Sequence, residues 1–99
     1  MKIQDFPTLV QFFGGYFHQD WLEEFSDPEA AVAAFFSGAS TEAIRSACDE
    51  LSQAVLLARQ GTEDPQRFLY ELGCYYDPAA NGLAVSDWLE QVRKKLDCQ

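Results

Sequence analysis

A chain of 99 residues, 47% apolar and 14% aromatic, is long enough for one hydrophobic core and too short for two, so a single domain spanning 1–99 is expected. Sixteen acidic residues against seven basic ones give a net charge of −9, a field that repels phosphate backbones and draws in basic surfaces. That balance speaks against direct nucleic-acid binding, while the apolar and aromatic share speaks against disorder, since disordered chains are poor in aromatic residues.

The first element follows from spacing. Phe6, Leu9, Val10, Phe13 and Phe17 recur every three or four residues behind Pro7, which predicts an amphipathic helix over 7–17. Gly14-Gly15 is its weak point, because glycine costs about 1 kcal/mol in a helix interior relative to alanine; the pair either ends the helix or admits another backbone. Asp20 is placed to cap a short turn from Trp21 to Phe25, with Glu23 and Glu24 favoured by the dipole there. Asp27-Pro28-Glu29 then opens a helix in the order cap, proline, acid, running to Phe36 and stopping near Gly38. Ser40 caps the longest helix, whose stripe of Ile44, Cys48, Leu51, Val55 and Ala58 faces inward and whose stop is Gly61, with Arg45 and Asp49 on the wet side.

Asp64-Pro65 repeats the capping signal for a helix to about residue 72, buried through Phe68, Leu69 and Leu72 and ended by Gly73. Residues 74–82 hold two turn pairs, Asp77-Pro78 and Asn81-Gly82, and read as a connecting loop. Ser86 caps the last helix, with Val85, Trp88, Leu89, Val92 and Leu96 inward and Arg93, Lys94 and Lys95 late, as the dipole prefers. No segment alternates as a strand does. The expected fold is all-α, a compact bundle of five to six helices.

Cys48, Cys74 and Cys98 form no CxxC pair, and their odd number suits free thiols in a reducing compartment. One histidine and three scattered cysteines give no zinc spacing, so neither metal nor cofactor is expected. No run approaches the roughly 18 apolar residues of a membrane span, and Met1-Lys2-Ile3-Gln4-Asp5 lacks the apolar core of a signal peptide, which points to the cytoplasm and to no membrane partner. GxSxG, HExxH and phosphate-cradling glycine loops are missing, so an enzyme is not expected. A catalytic alternative would have to use His18 with Asp20 or Cys74. The plainer reading puts His18 at a helix C-terminus and Asp20 at the next cap.

Charge is uneven along the chain. Residues 1–43 hold one basic and seven acidic residues, and Asp20, Glu23, Glu24, Asp27 and Glu29 lie within ten residues of one another without a basic partner. A merely soluble face mixes both signs, so this run is a candidate binding surface. Tyr16, able to bury its ring and keep its hydroxyl wet, and the adjacent Tyr75 and Tyr76 are candidate aromatic anchors beside Asp77, because tyrosine is favoured at interface hot spots.

At these residues a resemblance appears. The block "FPTLVQFFGGYFHQDW", an acidic spacer and "AVAAFF" resemble the immunity proteins of bacterial contact-dependent growth inhibition systems, the small all-helical subgroup with a "GxYFHQDW"-like signature. The likeness is close over residues 6–36 and looser beyond, through helix order and the "GCYYDP" loop. It implies a cytosolic protein, not an enzyme, that binds and neutralises the C-terminal toxin domain of a cognate effector, commonly a nuclease. Because the signature is shared by proteins facing different toxins, it marks the scaffold rather than the toxin-specific surface.

A nuclease holds phosphates in a basic cleft, so an acidic partner can plug that cleft or bind beside it and exclude substrate or a host factor, in a ternary complex where the toxin carries one. The expected toxin-binding residues are Tyr16, Asp20, Glu23, Glu24, Asp27, Tyr75, Tyr76 and Asp77. The competing reading is an acidic helical adaptor that docks another basic protein.

Overall fold

The computed structural model describes residues 3–60 and 64–96, which fold into six α-helices and two short 3₁₀ turns with no strand among them. The helices are α1 (Pro7–Tyr16), α2 (Trp21–Glu24), α3 (Pro28–Gly38), α4 (Thr41–Gln60), α5 (Pro65–Glu71) and α6 (Val85–Lys95); the 3₁₀ turns are Ile3–Asp5 and Pro78–Asn81. The all-α expectation holds. Gly61, expected to stop the longest helix, lies outside the described residues.

Local chemistry explains most boundaries. Asp27 accepts the Ala30 amide at 2.7 Å, Ser40 the Ala43 amide at 3.1 Å and Asp64 the Gln66 amide at 3.0 Å, each satisfying a donor that the first helical turn leaves free. α5 ends in a Schellman turn: Gly73, at φ 92°, sends its amide to the Tyr70 carbonyl while Cys74 sends its own to Leu69.

Two expected caps are corrected. Asp20 stands at the N-cap of α2 without a side-chain hydrogen bond, and α6 starts at Val85 behind Ala84, one residue before Ser86. In the first case the Asp20 amide is already engaged by the His18 ring, at 3.1 Å from Nδ1, which fixes the turn by another route. In the second, Val85 is buried, and its anchorage in the core draws the cap back by two residues, from Ser86 to Ala84. The loop expected over 74–82 also winds into the Pro78–Asn81 turn, capped by Asp77 on the Ala79 amide at 3.0 Å.

One core joins the helices. α4 packs most extensively on α6 and next on α1, and α1 also packs on α3. The α1 rings are the hinge of this arrangement: Phe12 stacks on Phe35 of α3 at 4.0 Å between centroids, and Phe17 meets Trp88 of α6 edge-on at 5.3 Å. Such ring pairs add about 0.5–1.5 kcal/mol each beyond the area they bury. The α4 stripe differs from its expectation. Ala47, Leu51, Ala54 and Val55 are buried, whereas Ile44, Cys48 and Ala58 are only half-buried, because the two alanines let neighbouring helices approach closely and so turn the contact face.

The cysteines divide. Cys74 is free and fully buried, but Cys48 is disulfide-bonded, which corrects the expectation of a free thiol there. Pairing depends on how the folded chain brings side chains together, a geometry that sequence spacing does not carry.

Candidate functional site

α2 is short because Phe25 turns extended after a single turn, and Asp27-Pro28 then starts α3 in a new direction. The segment after α5 is tied back to the end of α1 by the Tyr75 amide, which donates to the Phe17 carbonyl at 2.8 Å. These two connections and the outer side of α6 enclose an open groove of about 640 Å³. Its floor is apolar: Trp21, Val32, Tyr76, Trp88 and Val92 line it and are all buried in the core beneath.

The rim is of a different character. Asp27 and Glu29 at the start of α3, and Asp77 before the Pro78–Asn81 turn, are exposed carboxylates, and Lys95 is the one cation among the described lining residues. Leu22 and Tyr75 add apolar surface there, 67% and 46% exposed. Tyr75 also packs on Tyr70, with centroids 5.0 Å apart. A hydrogen bond with the Tyr70 side chain, followed by that neighbour's charge, raises the Tyr75 phenol above its ordinary pKa.

Of the residues expected at the interface, Asp27, Tyr75, Tyr76 and Asp77 converge on this groove from positions fifty residues apart in sequence. Asp20, Glu23 and Glu24 lie outside its lining, exposed along the α2 segment. Tyr16 does not line it either. Its ring is half-buried against Phe12, Phe25 and Phe35, so it serves the edge of the core.

The two adjacent tyrosines part company. Tyr76 is only 6% exposed and lines the groove from the core side, whereas Tyr75 is the more exposed of the two. Its ring meets Trp88 at 5.0 Å and Trp21 at 5.6 Å, and its hydroxyl accepts a hydrogen bond from Asn81 at 2.7 Å. Sequence reasoning missed Leu22. Its signal was available: an apolar residue between acids, out of step with Trp21 and Phe25, which sit four apart on the inward face.

His18 is engaged locally. Its Nδ1 accepts the Asp20 amide, which leaves the proton on Nε2 to donate to Glu24 at 3.2 Å. Asp20 therefore meets the ring through its backbone and not through its carboxylate. Burial pushes the Cys74 thiol up to about 12, against a smaller opposing effect of the Tyr76 carbonyl contact, so it holds no thiolate for nucleophilic attack. Among the described residues, no three histidine, cysteine or acidic side chains gather as metal ligands would. None of their helices is long and apolar enough to cross a membrane.

Fold and groove together define a class: an acidic, all-helical module that presents an apolar slot under a negatively charged rim. Residues 5–96 match the CdiI immunity protein family, and the chain belongs to it. Membership carries with it the binding and neutralisation of a cognate toxin of contact-dependent inhibition. No curated protein and no solved structure matches the chain.

Proposed function

We propose that the chain acts in the cytoplasm and neutralises a nuclease toxin domain by laying its acidic α2–α3 edge, with the adjoining groove, across the toxin's basic cleft. The observation that supports this most is that Asp27 and Glu29, from the acidic run, line one apolar slot together with a distant acid, Asp77. A nuclease cleft is shaped for phosphates, so Glu23, Asp27 and Glu29 act as decoys for the anionic substrate, and long-range attraction speeds the encounter. Exposed ion pairs give only about 0–1 kcal/mol each, so tight binding needs apolar anchors as well, which Leu22 and Tyr75 supply. Toxin neutralisation by such a surface requires no catalysis and no cofactor.

The test is co-expression with the toxin domain encoded next to this chain. Protection of the cell, and an association rate that falls when Glu23 and Glu24 are changed to lysine and when salt is raised, support the reading. An unchanged rate in the Glu23→Lys, Glu24→Lys variant removes those two residues from the interface. The groove would also suit an acidic adaptor. A chain that binds a basic partner, yet protects against no neighbouring toxin, favours that reading instead.

A further inference from the structure

Resting on the toxin-binding reading above, we infer that the groove is the seat of one particular kind of partner segment: a large apolar side chain flanked by lysine or arginine, its apolar part on the Trp21–Tyr76–Trp88 floor and its cations held by Asp27 and Asp77. The floor is preformed. Trp21, Tyr76 and Trp88 brace one another through ring contacts of 5.0–5.6 Å, so an incoming side chain meets packed aromatic surface without first opening the core.

The carboxylates are preformed as well, and for a reason unconnected with binding. Asp27 spends Oδ1 on the Ala30 amide and Asp77 spends Oδ1 on the Ala79 amide, which fixes both side chains before any partner arrives. Each then presents a second oxygen at an exposed rim position, with its rotamer entropy already lost to capping. The two acids belong to different elements, Asp27 to the start of α3 and Asp77 to the Pro78–Asn81 turn, and both line the groove, so a segment with cations on both sides of one apolar residue matches them. A volume of about 640 Å³ lies within the roughly 300–1,000 Å³ of small-ligand clefts, but three rim acids against one lysine disfavour anionic metabolites.

The chain carries its own reporter. It has two tryptophans, Trp21 and Trp88, and both line the groove, so tryptophan emission responds when the groove is filled. The experiment titrates the full chain with a synthetic leucine–lysine peptide and with a leucine–glutamate peptide of equal length, at low and high salt. The basic peptide shifts the emission in a salt-sensitive way and the acidic one does not. Asparagine caps as well as aspartate, so Asp27→Asn and Asp77→Asn keep the fold and each weaken the basic peptide about threefold to fivefold. Ala80→Arg, at an exposed lining position, blocks binding while helix content stays unchanged.

Equal responses to the two peptides, no response, or undiminished binding by the Asp27→Asn, Asp77→Asn double variant overturns the inference. The toxin domain separates it from the broader reading. A complex that forms with the wild type and survives Ala80→Arg at full strength overturns the groove assignment and leaves neutralisation standing. Absence of any complex or protection with the wild type removes neutralisation, whereas the peptide titration still judges the groove.

Discussion

Glu50, midway along α4, caps Thr8 at the start of α1: its carboxylate accepts the Thr8 amide at 3.0 Å and the Leu9 amide at 3.0 Å. The local sequence supplies no cap, because Phe6 stands at that position. Pro7 has no amide to satisfy and the Val10 amide reaches the Phe6 carbonyl, so Glu50 completes the free donors of the turn. Replacement by alanine, a better helix former, therefore destabilises the fold by about 1–2 kcal/mol. Chemical denaturation measures the loss, and amide exchange at Thr8 and Leu9 should accelerate beyond it. Unchanged stability would mean that water serves these amides equally well.

Gly73 and the Gly14-Gly15 pair make opposite predictions. A Cβ on Gly73, at φ 92°, would stand 3.2 Å from the Gly14 Cα and 3.3 Å from its nitrogen. Both the left-handed backbone and the backbone contact oppose a side chain, so Gly73→Ala costs about 2 kcal/mol or more. A Cβ on Gly15 meets nothing within 4 Å, inside a helix that continues to Tyr16. Gly15→Ala is therefore neutral or stabilising by up to about 1 kcal/mol. The thermal midpoint should fall for Gly73→Ala and hold or rise for Gly15→Ala, and a drop in both would place an unseen constraint at Gly15.

That pair also marks where sequence reasoning stops. The helices were legible because caps, prolines and three-to-four spacing are local signals, and each of α1 to α6 was expected within a residue or two. Gly14-Gly15 left two readings open, a helix end or a close approach; α1 runs through the pair to Tyr16, and the residue that demands the close approach is Gly73, fifty-eight positions or more downstream. The Glu50 cap has the same character: it joins parts of the chain that only tertiary packing brings together. At the groove, composition singled out Asp27 and Asp77 as acids, yet that both line one groove is a matter of tertiary structure, in which the Tyr75–Phe17 backbone bond ties the Asp77 segment to the end of α1. Tyr75 and Tyr76 could not be told apart, since alternation on a loop says that one ring points inward without saying which.

Cys74 sets an alkaline limit on the fold. Its thiol rises from the ordinary 9.0 to about 12 because burial disfavours the thiolate, so the folded chain keeps the proton over a range in which the unfolded chain releases it. Stability is whole below pH 9.0 and falls as pH climbs toward 12, by at most about 1.4 kcal/mol per unit. Cys74→Ala removes this slope. The gap in thermal midpoint between wild type and variant should therefore narrow from about pH 7.5 to about pH 10.5. Alkylation mapped to Cys74 should be negligible in the folded protein and complete in denaturant, and rapid labelling without unfolding would contradict the burial.

Tyr75 and Tyr76 separate recognition from folding. Tyr76 fills space between Trp21, Trp88 and Phe17, so Tyr76→Ala opens a hole in the aromatic cluster and costs about 3 kcal/mol or more, and Tyr76→Phe costs about 1 kcal/mol through the Asn81 hydrogen bond. The Tyr75 ring contributes an exposed contact with Tyr70, while its structural tie to Phe17 runs through the backbone and survives truncation. Tyr75→Ala should leave stability within about 1 kcal/mol of wild type yet weaken toxin binding about tenfold or more, the loss expected of an aromatic anchor. Calorimetric unfolding beside a binding isotherm for the same three variants checks the division. Binding that fell only in step with stability would return Tyr75 to a purely structural role.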